Sequence, residues 1–137
     1  MKRDDWLMIA IGDEMQPIQL QKTLFKFAME SGVPEEEAYQ FGPYNWGPCS
    51  FEIYDDLATL TSQGFLEALP SGRGWNSHRL TDKGIGRVSA LRSKADKEPY
   101  KKLISVRKWV KARGFAKLLQ DVYADYPGFA TQSLFMD

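Results

Sequence analysis

Residues 57–84 read LATLTSQGFLEALPSGRGWNSHRLTDKG, and the order of breakers here leaves the chain little freedom. Gly64 stops a helix that runs as SFEIYDDLATLTSQ from Ser50, with Ser50 at the N-cap position and Glu52 in the first turn. Phe65–Leu69 forms one arm of a hairpin, the glycine-rich PSGRGWN turns the chain, and SHRLT returns as the second strand. Thr81 then caps another helix. The first of these helices places Phe51, Tyr54, Leu57, Ala58 and Thr61 at helical spacing, which predicts that this face is buried.

Upstream, Trp6, Leu7, Ile9, Ala10 and Ile11 predict a short helix ending at Gly12. Pro17 opens a second helix that runs without a breaker to Gly32. Its expected buried face is Ile18, Leu20, Leu24, Phe25, Phe27 and Ala28, with Gln19, Lys22, Lys26 and Glu30 opposite. VPEEEA fits either one helical turn or a solvated loop. In FGPYNWGPCS, residues 41–50, Tyr39-Gln40-Phe41 leads in as a short strand, and Gly42-Pro43 and Gly47-Pro48 read as turns steering the chain into the next helix. Phe41, Tyr44 and Trp46 are expected to pack this corner; exposed, Tyr44 and Trp46 become interface anchors instead.

Downstream, TDKGIGRVSALRSKAD carries two glycines and reads as a short or frayed helix. Pro99 opens a helix with Leu103, Ile104, Val106, Trp109 and Val110 inside. Beyond Gly114, the residues Phe115, Leu118, Leu119, Val122 and Tyr123 form another apolar stripe. The apolar tail YPGFATQSLFMD packs back on the domain or docks on a partner.

Helix, helix, short strand, helix, strand, glycine-rich hairpin and strand resembles the order of a winged-helix domain. LTSQGFLEA, the basic turn and RLTDKG carry that likeness. LQKTLFKF, FGPYNWGPCSFEIYDDLATLTSQGFLEA, RLTDKG and VYADYPGFATQSLF resemble the YwgA-like winged-helix proteins and, more remotely, Panacea-type antitoxin domains. The expectation is one mostly α domain over residues 1–137 with a small antiparallel hairpin sheet. It comprises a winged helix-turn-helix core at 4–84 and a C-terminal helical extension at 85–137. For function, the antitoxin likeness implies partner binding and neutralisation; no catalytic residue transfers from either group.

The 137 residues include one cysteine, Cys49, and one histidine, His78, which excludes an internal disulfide and a multi-cysteine zinc site. No metal or cofactor is expected. No apolar run approaches the roughly 18–20 residues of a membrane span, and the N-terminal apolar run is short and flanked by acids, so the expected location is the cytoplasm. The 18 basic and 18 acidic residues cancel but are segregated. Residues 1–69 hold 12 acids against 4 bases, and residues 70–117 hold 14 bases against 3 acids. That split fits a basic surface for a polyanion or acidic partner, and equally two differently charged solvated faces.

The helix at 50–63 carries Glu52, Asp55 and Asp56 and no Lys or Arg, which opposes docking on phosphates. With Tyr44 and Trp46, these acids make a candidate partner-binding set. Arg73, Trp75, Asn76 and Arg79 around the hairpin turn, with Lys83 and Arg87 on the following helix, make a candidate nucleic-acid set in which Trp75 stacks on a base or sugar. The competing reading folds Trp75 onto the core and leaves the arginines solvated. A thiol nucleophile at Cys49 with His78 as base lacks any motif fixing the pair. Asp55 and Asp56 diverge on their helix, and Asp121 and Asp125 share a face with nothing to complete a cation site. The resulting expectation is a non-enzymatic protein-partner adaptor of antitoxin-like or defence-associated type, as monomer or homodimer. The alternative is a DNA-binding regulator acting through the wing and helices 82–117.

Overall fold

The computed structural model describes residues 1–135. Helix α1, Arg3–Ile11, is apolar all round after its first turn, and every residue from Asp5 to Ile11 is buried. Such a helix belongs at the centre of a core. Helix α2, Pro17–Glu30, starts on its proline as expected and buries Leu20, Leu24, Phe25 and Phe27. It also buries Lys22 and Lys26, which the sequence pattern placed on the outer face. The VPEEEA segment forms a single 3-10 turn, Glu35–Glu37.

The glycine–proline stretch departs from expectation. Instead of two elbows after a strand at 39–41, it is itself a hairpin: β1, Gly42–Tyr44, pairs antiparallel with β2, Gly47–Cys49. Pro43 faces Pro48 across the ladder. Two edge strands tolerate this, because antiparallel pairs alternate and a residue in a non-hydrogen-bonded pair needs no N–H. Gly47, at φ +88°, rejoins the strand after the Asn45-Trp46 tip, and a Cβ there would lie 2.8 Å from the Tyr123 ring. Tyr39 lies outside any strand; it is buried, and its hydroxyl donates to Asp56 at 2.7 Å.

Helix α3, Phe51–Ser62, ends as expected: Phe65 N–H donates to Leu60 O at 3.0 Å and Gly64 N–H to Thr61 O at 3.1 Å. Its start does not. The Ser50 side chain makes no cap bond; the backbone of Ser50 is instead gripped by the Gln21 amide, which donates to Ser50 O at 2.9 Å and accepts from Ser50 N–H at 2.8 Å. The buried face is Ile53, Leu57 and Leu60, while Phe51, Tyr54 and Ala58 are exposed. Two apolar faces compete on this helix, and its docking on β3 and the central core decides between them.

Strands β3, Leu66–Pro70, and β4, Asn76–Leu80, form the second hairpin, with Leu66 opposite Leu80. Met15 adds an antiparallel bridge to His78 on the outer edge of β4. Thr81 caps α4, Asp82–Lys94, by accepting from Gly84 N–H at 3.1 Å. This helix is neither short nor frayed. A Cβ on Gly84 would sit 2.1 Å from Phe65 O, so that glycine marks close packing of α4 on the sheet. Helix α5, Lys97–Lys111, lies along α2, and α6, Phe115–Asp125, leads into a 3-10 turn at Pro127–Ala130. The tail packs back: Phe129 meets Phe25 edge-on at 4.7 Å, and Leu134 N–H donates to Asn45 O at 2.7 Å. Its last two residues lie outside the described residues.

The described chain is therefore mostly α-helical with two small antiparallel hairpins. Leu91 of α4 and Leu103 of α5 enter the same core as α1, and Phe25 organises a second cluster with Val106, Val110, Leu118 and Val122. Among the described residues, no helix is long and apolar enough to cross a membrane.

Candidate functional site

Part of the segregated charge is met inside the molecule. Arg87 of α4 reaches Asp5 at 3.4 Å, Lys102 of α5 reaches Glu30 at 3.0 Å, and Arg107 reaches Asp13 at 2.8 Å. Arg107 also donates to Ala10 O at 2.8 Å and Ile11 O at 3.2 Å, closing the C-terminus of α1. These ion pairs tie α4 and α5 to Asp5, Asp13 and Glu30 of the N-terminal half.

Arg79 pairs with Glu67 across the hairpin at 2.9 Å. Lys83 donates to Gln63 O at 2.7 Å and lies over the Phe65 ring. Arg87 is the Asp5 partner, and Asn76 is exposed opposite Pro70. On α3, Glu52 and Asp56 are both held by Arg3, with Arg3 Nε 3.0 Å from Asp56, while Asp55 is exposed. Arg73 and Trp75, from the nucleic-acid set, instead join Tyr44 and Trp46, from the partner set, around one cavity.

That cavity holds about 760 Å³ and opens to solvent between the first hairpin, the start of α3, the α5–α6 junction and the β3–β4 turn. Its rim is aromatic. Tyr44 is 37 %, Trp46 43 %, Phe51 58 %, Tyr54 45 % and Phe115 47 % exposed. They are arranged in edge contacts, Tyr44 on Phe51 at 4.7 Å and Trp46 on Phe115 at 5.5 Å. Arg73 and Arg113 also line it. Arg113 is held by Asp121 at 2.7 Å and by Trp109 O at 2.8 Å. Among the described residues, no Asp or Glu lines the cavity.

Buried Gln21 and Lys22 and half-buried Cys49 complete the lining. Lys22 is 1 % exposed, and its Nζ donates to Pro48 O at 2.8 Å. Burial brings its pKa down to about 8, opposed in part by the neighbouring Cys49. Burial pushes the Cys49 thiol up, with Lys22 offsetting some of the rise. His78 is absent from this lining; its backbone pairs with Met15 and it sits on β4 opposite Ala68. Among the described residues, no three His, Cys, Asp or Glu side chains converge as a metal site.

Sequence reading missed Gln21, Lys22, Phe51, Tyr54 and Phe115 as members of one site. A signal for Lys22 existed, since Ile18, Phe25 and Met29 stand four before, three after and seven after it, on one helical stripe. Phe51 and Tyr54 looked like core because their spacing is helical. The chain matches no protein-family model, no curated protein and no solved structure.

Proposed function

We propose that this chain is a non-enzymatic binding module of winged-helix type that docks a protein partner in the aromatic cavity. The observation that carries the reading is the gathering of Tyr44, Trp46, Phe51, Tyr54 and Phe115, all substantially exposed, around one concave surface. Large aromatics in such a setting are the usual anchors of a protein interface, and an exposed cluster of them is uncommon without one. The occupant we assign is an apolar segment of the partner that carries an acidic side chain, because the cations Arg73 and Arg113 line the cavity and no carboxylate does.

The winged-helix assignment is supported by the order α1, the Met15 bridge, α2, α3, β3, β4, with the β1–β2 hairpin inserted between α2 and α3, in which Met15 extends the β3–β4 sheet. Arg73 and Trp75 at the turn of the second hairpin then serve as one lip of the docking surface. Three acids on α3, and the engagement of Arg79, Lys83 and Arg87 by the protein itself, count against a role on DNA.

A photo-crosslinking residue placed at Trp46 or Phe115, compared with one at the remote Lys94, would capture the partner for identification and purification. Reconstituted binding should weaken at least about ten-fold with Trp46→Ala or Tyr54→Ala and stay unchanged with Arg79→Ala plus Lys83→Ala. Undiminished binding by the aromatic variants would refute the docking surface. So would steeply salt-dependent DNA binding lost on replacing Arg73 and Arg79.

A further inference from the structure

Lys22 is the least comfortable charge in the molecule. Its side chain is 1 % exposed, its one hydrogen-bond partner is the neutral carbonyl of Pro48, and no carboxylate stands within ion-pair reach of it among the described residues. An ammonium has three N–H donors, so two are left without a protein acceptor. Burying a cation in this way is costly unless an anion completes it. Every other buried or half-buried cation near the core is completed: Lys26 by Glu30 at 2.9 Å, Arg107 by Asp13 at 2.8 Å and Arg113 by Asp121 at 2.7 Å. The neighbouring Ser50 hydroxyl is likewise buried without a hydrogen-bond partner.

Two features give an incoming anion its route. Lys22 lines the open cavity beside Cys49, on whose strand Pro48 lies. The titratable groups around that cavity are Lys22, Cys49, Tyr44, Tyr54, Arg73 and Arg113, which are cationic or neutral at neutral pH, so nothing there repels a carboxylate. The surrounding Phe51, Tyr54 and Phe115 would shield the pair from water and strengthen it.

We infer that Lys22 anchors a carboxylate subsite in the cavity, which takes the acidic side chain of an apolar partner segment, the Nζ donating to its oxygens. This rests on the docking reading above and adds the group that gives it charge selectivity. Lys22 lies in a position where an uncharged analogue of the same shape would leave the ammonium unpaired, so discrimination between acid and amide should be large.

The test uses the full chain with 3-phenylpropionate and 3-phenylpropionamide as probes, followed by amide NMR shifts at Gly47, Cys49 and Gly114. The acid should bind at least ten-fold more tightly than the amide. Lys22→Met should abolish that preference while leaving the amide bound at the same sites, which also reports that the cavity is still formed. A second arm compares a blocked Trp-Glu-Leu tripeptide with its Gln counterpart. Equal binding of acid and amide, or a preference that survives Lys22→Met, would overturn the subsite and leave the docking surface standing. Failure of every probe to perturb the cavity would overturn both, and a preference shown by the free acid without the tripeptide would overturn the assignment to a partner side chain.

Discussion

Replacing Lys22 by methionine keeps an unbranched side chain one atom shorter and removes both the charge and the N–H donors, and because only the charge titrates, the pH dependence of the change isolates the buried ammonium. In the folded protein burial lowers this group from its ordinary 10.5 to about 8. The sign follows directly. Below about pH 8 both folded and unfolded chains hold the proton, and the burial penalty is felt in full. Between about 8 and 10.5 the folded state sheds the proton while the unfolded chain keeps it, so stability contributed by this residue rises with pH. Integrated from about pH 7 to about pH 10, the gain is about 2–3 kcal/mol. The methionine variant has no such titration and loses a hydrogen bond to Pro48 O, a deficit of about 1–3 kcal/mol at every pH. Urea unfolding of both proteins at the two pH values, followed by circular dichroism, gives the comparison. The wild type should gain about 2–3 kcal/mol on the variant as pH rises, and near neutrality the two should be close in stability or the variant ahead. Identical pH responses would refute the claim that Lys22 is buried with its charge uncompensated.

Other expectations concern the elements that shape the site. Ile53→Ala should cost about 2–4 kcal/mol in urea unfolding, whereas Phe51→Ala on the exposed face of α3 should change stability by less than about 1 kcal/mol. Gly84→Ala forces a methyl group to within 2.1 Å of the Phe65 carbonyl, a backbone atom that cannot swing away, and should lower the thermal midpoint by several degrees. Glu30 is opposed by burial, yet hydrogen bonds from Lys26, Lys102 and Tyr126 prevail and hold its carboxyl at about 2. Its contribution, present above its ordinary value of 4.5, is therefore lost as pH falls from there towards 2, and Glu30→Gln should flatten the acid limb of the stability curve.

Much of the helix and hairpin order was legible because it rests on local chemistry. Pro17 opening α2, Thr81 capping α4 and Gly64 ending α3 act within a few residues of themselves, and each does in the fold what its type predicts. The glycine–proline stretch was misread because a proline's missing donor looks the same in a turn and in an unbonded strand position. Pairing across the hairpin, a contact between segments, distinguishes the two. The same limit hid the site. Its aromatics come from β1, the β1–β2 tip, α3 and α6, and spacing along one element cannot report that they converge.

The amino-acid sequence by itself determined where elements start and stop, and that the chain is mostly helical with a hairpin, since those choices are made by backbone stereochemistry and short-range hydrogen bonds. Only the tertiary structure decided which apolar face of α3 turns inward, that the basic helices reach Asp5, Asp13 and Glu30 of the acidic half, and that a lysine ends up enclosed beside an open aromatic cavity. Those outcomes depend on which surfaces meet, and the energy of burying a face or a charge is set by the neighbour it meets.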